Sequence, residues 1–331
     1  MALFEPPVKG LKHFLKNSVM IYTVDNQNVG DRLDKFLLSK LTDYSRSQIQ
    51  KWIKSGLVLV NKQKVSPHYF LKAGESIEIT KPKERKIDKA EEKKLFEQIK
   101  IIEENPEFII LYKPVGLVVH PAPSVKSPTL TDFLLKKYPE IKDACEEGNR
   151  PGLVHRLDKE VGGLMVVART QESFLNLKKQ FQNREVEKEY LALVHGVIEK
   201  EEDTINFPLK RSNKGYKMAA VPQSYKEDKG VREALSYLTV LEKYTKLTLV
   251  KIKIATGRTH QVRTHLLAYG HPIVGDKIYN TKKTREEDKK LIKKGGFPER
   301  IFLQSVYLGF KDLSGEKREF EVEENLKFQN I

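Results

Sequence analysis

Apolar residues in the first eighty positions recur at two different periods. Leu33, Phe36, Leu37 and Leu41 fall at i, i+3, i+4 and i+8, one stripe of an amphipathic helix. Ser45-Arg46-Ser47-Gln48 has the form of a capping box with Ser45 as N-cap. It opens a second helix that turns Ile49, Trp52 and Ile53 inward and stops at Gly56, a C′ glycine. Val58–Val60, a polar turn at 61–64, and Ile77–Ile79 then predict short strands. Residues 81–94 break the pattern: 11 of these 14 positions are charged, as in a solvated linker.

From residue 99 onward short β-like runs dominate. Phe108–Tyr112, Leu117–His120, Leu164–Ala168, Glu189–Val194, Tyr237–Leu241 and Leu247–Ile254 predict strands, with a late set at Ile301–Gly309 and Glu319–Val322. Thr170 caps a helix carrying Phe174, Leu177 and Phe181 on one face, and another runs from about Thr259 to Ala268, ending at Gly270. No internal repeat is visible. Strands with loosely placed helices, and no regular βαβ alternation, predict an α+β protein. A small helix–helix–strand domain precedes a mixed or antiparallel sheet-rich domain with flanking helices. The expected divisions are an N-terminal extension (1–28), the small domain (29–80), a charged linker (81–98) and the large domain (99–331).

Length and composition sharpen this picture. The 331 residues suit about two domains, and 39% hydrophobic content excludes disorder as the main state. A single cysteine, Cys145, rules out an internal disulfide and fits a reducing compartment. No apolar run approaches the roughly 18 residues needed to span a bilayer. The first twenty residues, broken by two prolines and three lysines, lack the apolar stretch of a signal peptide. A cytoplasmic protein is expected. Sixty Lys and Arg against 45 Asp and Glu leave a net charge of +15. That surplus points to a polyanion, which Lys and Arg bind through counterion release. A lysine-rich solvated surface gives the same total, so placement must decide. Over residues 29–80 basic residues outnumber acidic ones 9 to 5, with Arg32, Lys35, Arg46, Lys51 and Lys54 among the outward positions.

Three segments of the large domain set polar groups in apolar surroundings. Arg150-Pro151-Gly152-Leu153-Val154-His155-Arg156-Leu157-Asp158-Lys159 leads toward the run Leu164–Ala168. Taken alone, Asp158 reads as a turn residue. In Lys188-Glu189-Tyr190-Leu191-Ala192-Leu193-Val194-His195-Gly196 a strand would place Tyr190, Ala192 and Val194 on one face, where Tyr190 alone reads as core. Ala255-Thr256-Gly257-Arg258-Thr259-His260-Gln261-Val262-Arg263-Thr264-His265 buries Val262 and Leu266 and leaves Arg263 at the edge of that face. His260 and His265 lie about 140° apart round a helix and cannot chelate one metal.

Two resemblances connect these pieces. Residues 29–80 resemble the S4 RNA-binding domain, through Arg32-Leu33-Asp34-Lys35-Phe36-Leu37, Ser45-Arg46-Ser47, Gly56-Leu57-Val58-Leu59-Val60-Asn61 and Leu71-Lys72-Ala73-Gly74-Glu75. The large domain resembles the RluA family of pseudouridine synthases over about residues 100–310. His155-Arg156-Leu157-Asp158 looks like its HRLD element, Lys188-Glu189-Tyr190 like its tyrosine-bearing strand, and Gly257–Arg263 like its GRTHQ(I/V)R element. Lys113-Pro114-Val115-Gly116-Leu117-Val118-Val119-His120-Pro121 looks like its early strand and turn. An S4 domain is the usual companion in the ribosomal-RNA branch. His120-Pro121-Ala122-Pro123 and the stretch 211–220 lean toward the RluD-like subgroup.

The resemblance implies isomerisation of uridine to pseudouridine in RNA, with 23S large-subunit ribosomal RNA the expected substrate. It implies Asp158 as the indispensable group, Arg263 as its partner and Tyr190 stacked on a flipped uracil. Arg156 would fill the gap in the RNA stack, with His155 beside it and Arg258 toward phosphate. Arg32, Arg46 and Lys51 would hold RNA from the small domain. Atoms in equal atoms out without redox change, so no cofactor or metal is required. The partners expected are RNA alone, without a membrane, for a monomer. Val161-Gly162-Gly163 departs from the family's Thr-Ser-Gly or Thr-Thr-Gly, and Gln304 stands where a histidine is common. A non-catalytic RNA-binding or ribosome-assembly factor on this fold, and the same enzyme acting on tRNA, are the alternatives. A glycoside hydrolase needs two positioned carboxylates, and Glu160 and Glu189 read as surface charges. Residues 281–294, with 10 charges, read as an RNA contact or a solvated helix.

Overall fold

The computed structural model describes residues 19–41, 44, 46–80, 87–121, 125–146, 150–212, 215, 217–293 and 297–322. The chain divides into two compact units near residue 86. In the first, α1 (Leu33–Lys40) and α2 (Arg46–Ser55) share a core with β1 (Val19–Thr23), β2 (Val58–Val60) and β3 (Ser76–Thr80). The sheet is antiparallel in the order β1-β3-β2. Leu33, Leu37, Ile49, Ile53 and Ile77 are sealed inside it. Gly56 closes α2 at φ +80°, as its sequence position predicts. Ser45, the expected N-cap, lies outside the described residues. Trp52 is half-buried rather than core, its ring set edge-on to Tyr44 at 4.6 Å. β1 extends this unit into what the sequence assigns to an N-terminal extension. Val-Met-Ile-Tyr-Thr is apolar on both faces, so no alternation announces it.

The larger unit begins with α3 (Lys89–Phe96), capped by the Asp88 carboxylate, inside the stretch expected to be linker. Phe96 anchors this helix against Phe133, ring centroids 5.3 Å apart. Then follow β4 (Lys100–Glu104), β5 (Phe108–Lys113), α4 (Leu130–Lys137), β6 (Gly162–Ala168), α5 (Gln171–Asn183) and β7 (Glu187–His195). β8 (Glu202–Ile205), β9 (Leu209–Arg211), β10 (Met218–Ala220), β11 (Ser236–Lys243) and β12 (Leu247–Ile254) lead to α6 (Gln261–Ala268) and α7 (Lys282–Lys293). β13 (Leu303–Lys311) and β14 (Lys317–Glu321) finish the described chain. The architecture is α+β.

One sheet runs in the order β4-β5-β6-β13-β7-β12-β11-β8, with β14 paired to β13 and β9–β10 set apart. Its neighbours are antiparallel except at the junction of two halves, where β13 meets β6 in parallel through Gln304–Gly162 and Ser305–Gly163. A Cβ on Gly163, at φ +128°, would come within 2.2 Å of the Ser305 carbonyl oxygen, so only glycine permits this approach. β5 and β6 are buried on both faces: Ile109, Leu111, Met165 and Val167 enter one core, Phe108, Ile110, Leu164 and Val166 another. Leu117–His120 is not a strand. Its Val118 and Val119 carbonyls accept the first N–H groups of α4 instead, which satisfies a helix terminus. No helix among the described residues is long and apolar enough to cross a membrane.

Candidate active site

Both halves of the sheet contribute to an open cleft of about 570 Å³ lined by Asp158, Tyr190, Arg263 and His260. Asp158 arrives from the β6 half, on a turn closed by the Val161 N–H donating to the Asp158 carbonyl at 3.1 Å. Behind the turn, Gly162 is walled in: a Cβ there would sit 3.0 Å from the Tyr112 hydroxyl. This chain fills with Tyr112 the space that a side chain at position 162 would need. Beneath lies Lys113, fully buried, its Nζ donating to the Pro114 and Leu117 carbonyls, both at 2.9 Å, and to the Lys159 carbonyl at 3.4 Å. Burial pushes its ammonium down to about 7, against the pull of Asp158 and Glu160.

Arg263 comes from the other half, on α6. The sequence leaves it at the edge of a face, and the structure buries it to 2% exposure. Its Nη1 donates to Asp158 Oδ2 at 3.1 Å, while Nε and Nη2 grip both oxygens of Asp276 at 2.7 and 2.8 Å. Asp276 also accepts the Ile278 and Tyr279 N–H groups at 2.8 and 2.9 Å, so it is held rigidly. Burial disfavours the guanidinium's charge, and the two carboxylates outweigh that and raise its pKa. One fork thus aims one carboxylate from a second, buried carboxylate. His260 occupies a left-handed conformation, φ 54°, at the start of α6. It is hydrogen-bonded to the Tyr279 hydroxyl at 2.8 Å, and its Nε2 lies 3.7 Å from Asp158 Oδ2. Gln261 braces the preceding loop, accepting from the Thr256 hydroxyl and the Arg258 N–H and donating to the Leu235 carbonyl.

Tyr190 reaches the cleft from β7, and burial, then the Asp158 charge, raises its phenol pKa. Arg156 is exposed at the cleft. Arg258 is half-buried, its Nε donating to the Glu233 carbonyl at 3.0 Å. His155 is fixed by packing: its ring stacks on Phe181 at 4.7 Å and its Nε2 accepts the Val166 N–H at 3.0 Å. Burial, then the Lys188 ammonium, push the imidazole down to about 3.

In the small unit Lys51 is exposed, but Arg32 and Arg46 are not free outward charges. Both donate to Asp34, which is fully buried, with contacts of 3.0–3.1 Å, and Gln50 adds a third donor at 2.6 Å. Burial alone would raise the carboxyl, yet these donors hold it at about 2. The guanidiniums keep one edge in solvent, so they brace α1 against α2 while still facing outward.

The structure therefore brings Asp158, Tyr190, Arg263, His155, Arg156 and Arg258 to one cleft. Sequence reasoning passed over Asp276 and Tyr279, and quoted Lys113 and His260 within motifs without giving either a role in the site. Asp276 had one signal, a lone acid after Gly275 at the end of the apolar pair Ile273-Val274.

Comparison with known proteins shows what the chain is similar to. The family model for RNA pseudouridylate synthase matches residues 107–268, and that for the S4 domain matches residues 31–77. Over 321 residues the chain is 39% identical to an uncharacterized RNA pseudouridine synthase of Aquifex aeolicus, covering 95% of this chain and 96% of that protein. Over 257 residues it is 38% identical to ribosomal large subunit pseudouridine synthase D of Nitrosomonas europaea, covering 78% of this chain and 71% of the relative. The solved structure of human RNA pseudouridylate synthase domain containing 1 aligns with a TM-score of 0.53 at 26% identity, over 69% of this chain and 84% of that one.

Proposed function

The chain belongs to the RNA pseudouridylate synthase family, and from that premise we propose that it isomerises specific uridines of 23S ribosomal RNA with Asp158 as the reacting group. As an RNA pseudouridine synthase it is an isomerase: the N1–C1′ bond of uridine breaks, the base turns, and C5 joins C1′. The ribosomal substrate is supported by relatives named ribosomal large subunit pseudouridine synthase D and by the accompanying S4 domain.

One observation carries the role of Asp158. Arg263 anchors its Oδ2, while its Oδ1 has no protein hydrogen bond among the described residues, in a cleft of nucleotide size. A carboxylate held by one oxygen and open at the other is placed to attack C1′ or the base, or to take a sugar proton; the same geometry serves each route. Tyr190 offers a ring for the extruded uracil and a phenol near the C5 proton that leaves last. Arg156 fills the gap that base flipping leaves, and Arg258 faces phosphate.

Pseudouridine mapping of ribosomal and transfer RNA from a gene-deletion strain tests the proposal, with complementation by wild type and by Asp158→Ala. Specific 23S pseudouridines should vanish and return with wild type alone. A loss confined to tRNA would move the substrate, and restoration by Asp158→Ala would remove the assigned role of the aspartate. In purified protein, Asp158→Asn should lower turnover on the order of 10³-fold or more while RNA affinity changes little.

A further inference from the structure

β7 carries Glu187, Lys188, Glu189 and Tyr190 in succession, and alternation sends the two glutamates and the two others to opposite faces. Glu187 is engaged by Lys253 at 2.6 Å and Lys317 at 3.1 Å, and Glu189 by Lys251 at 3.4 Å. Lys188, between them, lies on the cleft face with Tyr190 and is only 9% exposed. Its ammonium rests 5.1 Å from the Phe181 ring centroid, and a Cβ on Gly257 would sit 3.8 Å from it. Two more cations line the same cleft. Arg184 ends α5 in a left-handed conformation, φ 64°, and Arg258 follows Gly257. None of Arg184, Lys188 and Arg258 has a carboxylate within 4.0 Å among the described residues.

A buried ammonium without a counter-charge is costly, and Arg184 and Arg258 add further positive charge to the same cleft. Such an arrangement is stable against water and complementary to an anion. Three cations in one cleft suit a phosphate better than a neutral uracil carbonyl. We propose that Lys188, with Arg184 and Arg258 in the same cleft, binds the RNA backbone phosphate of the nucleotide that enters it. This rests on the reading of the cleft as an RNA-modifying site and adds the group that fixes the target's backbone. Phosphate supplies the counter-charge Lys188 lacks, while Tyr190, two residues on, meets the base of the same nucleotide.

Lys188 itself provides a distinctive readout. Burial pushes the Lys188 ammonium down to about 8. A phosphate beside it reverses that shift, so RNA binding takes up a proton as pH rises through 8 and affinity falls. The titratable and charged groups that line the cleft with Lys188 are His120, Arg150, His155, Arg156, Asp158, Arg184, Tyr190, Arg258, His260 and Arg263. His155 and His260 are displaced downward and the Tyr190 phenol upward, away from the window between pH 7 and 9. Carboxylates and guanidiniums carry fixed charge there. Lys113 titrates near 7, but it is common to every protein compared.

The experiment measures the affinity of the full chain for an unmodified 23S ribosomal RNA transcript at fixed salt from pH 6.5 to 9, with turnover on the same RNA. Wild type should weaken toward high pH, by at most about tenfold per unit. Lys188→Met should bind about tenfold more weakly at pH 7 and lose that pH response, and Lys188→Arg should keep the affinity and lose the response. Arg184→Gly, whose backbone conformation suits glycine, should weaken binding without disturbing β7. Circular dichroism separates these effects from misfolding. An unchanged affinity and pH profile in a folded Lys188→Met protein overturns the phosphate site. Wild type that shows the profile but forms no pseudouridine leaves the site standing and refutes the proposed reaction.

Discussion

Arg263 is the residue on which the cleft's geometry turns, because one guanidinium fixes two carboxylates. Lysine there could satisfy one of them, so Arg263→Lys should cut kcat on the order of 10²-fold or more and leave Asp276 buried without its bidentate partner. Asp276→Asn should act from the other side. It leaves a buried arginine short of counter-charge, costing about 3 kcal/mol of stability, with a lower melting temperature alongside lower turnover. A normal melting temperature in both variants would mean that the pair is not the strut described. Asp158, Tyr190 and Arg263 were legible in the sequence because each stands in a contiguous motif. Asp276 was not, since its partnership with Arg263 spans thirteen residues and rests on tertiary packing. Gln304 shows a different residue-scale effect: it is buried, and neither its amide oxygen nor its nitrogen has a hydrogen-bond partner. Gln304→Met, similar in shape and free of that desolvation, should raise stability by about 1 kcal/mol in a denaturant titration. Unchanged or lower stability would show that the amide is satisfied in solution.

Among the elements, the narrow junction between β6 and β13 depends on a glycine. Gly163→Ala would force a Cβ into the Ser305 backbone, and the conformation at φ +128° suits no L side chain. A loss of about 3 kcal/mol or more is expected, and with it activity, because Asp158 lies on one side of that seam and Tyr190 and Arg263 on the other. Retained stability and activity would show that the sheet joins elsewhere. Most strands of this sheet were legible from apolar runs, β12 to the residue. Leu117–His120 was misread because a buried segment that caps a helix shows the same apolar alternation as a strand. α4 went unseen for a related reason: its Leu130, Phe133 and Leu134 span barely two turns, and its start is set by a capping box at Thr129 and Asp132 rather than by a long stripe. In the small unit the sequence correctly placed both helices, yet the Arg32–Asp34–Arg46 brace between them is a three-dimensional fact that linear spacing does not display.

At the level of the whole molecule, the two units should respond to acid in separate windows. Asp34 has its carboxyl lowered from 3.8 to about 2, so its contribution is present above about pH 4 and lost as pH falls toward 2. His155 has its imidazole lowered from 6.5 to about 3, so the unfolded chain binds the extra proton first. Its contribution is full above 6.5 and declines as pH falls from there. Stability of the large unit should therefore fall first. The sole tryptophan, Trp52, lies in the small unit, so its fluorescence reports that unit while circular dichroism follows the sheet. Coincident acid transitions by both probes would contradict this assignment.

The place of β13 in the sheet also sets an order of events during synthesis. It is the strand that joins the β6 half to the β7 half, yet it begins at Leu303, long after both of them in the chain. A ribosome delivers the chain from its N-terminus, so the segments bearing Asp158 and Arg263 emerge well before the strand that unites them. Until β13 emerges, the newborn protein carries Asp158 and Arg263 on two unjoined half-sheets with open edges. Pairing across such sequence distances is slow, and the exposed edges of β6 and β7 are where a stalled or truncated chain would aggregate. The cleft is thus assembled in one step, when β13 closes the seam between the two half-sheets.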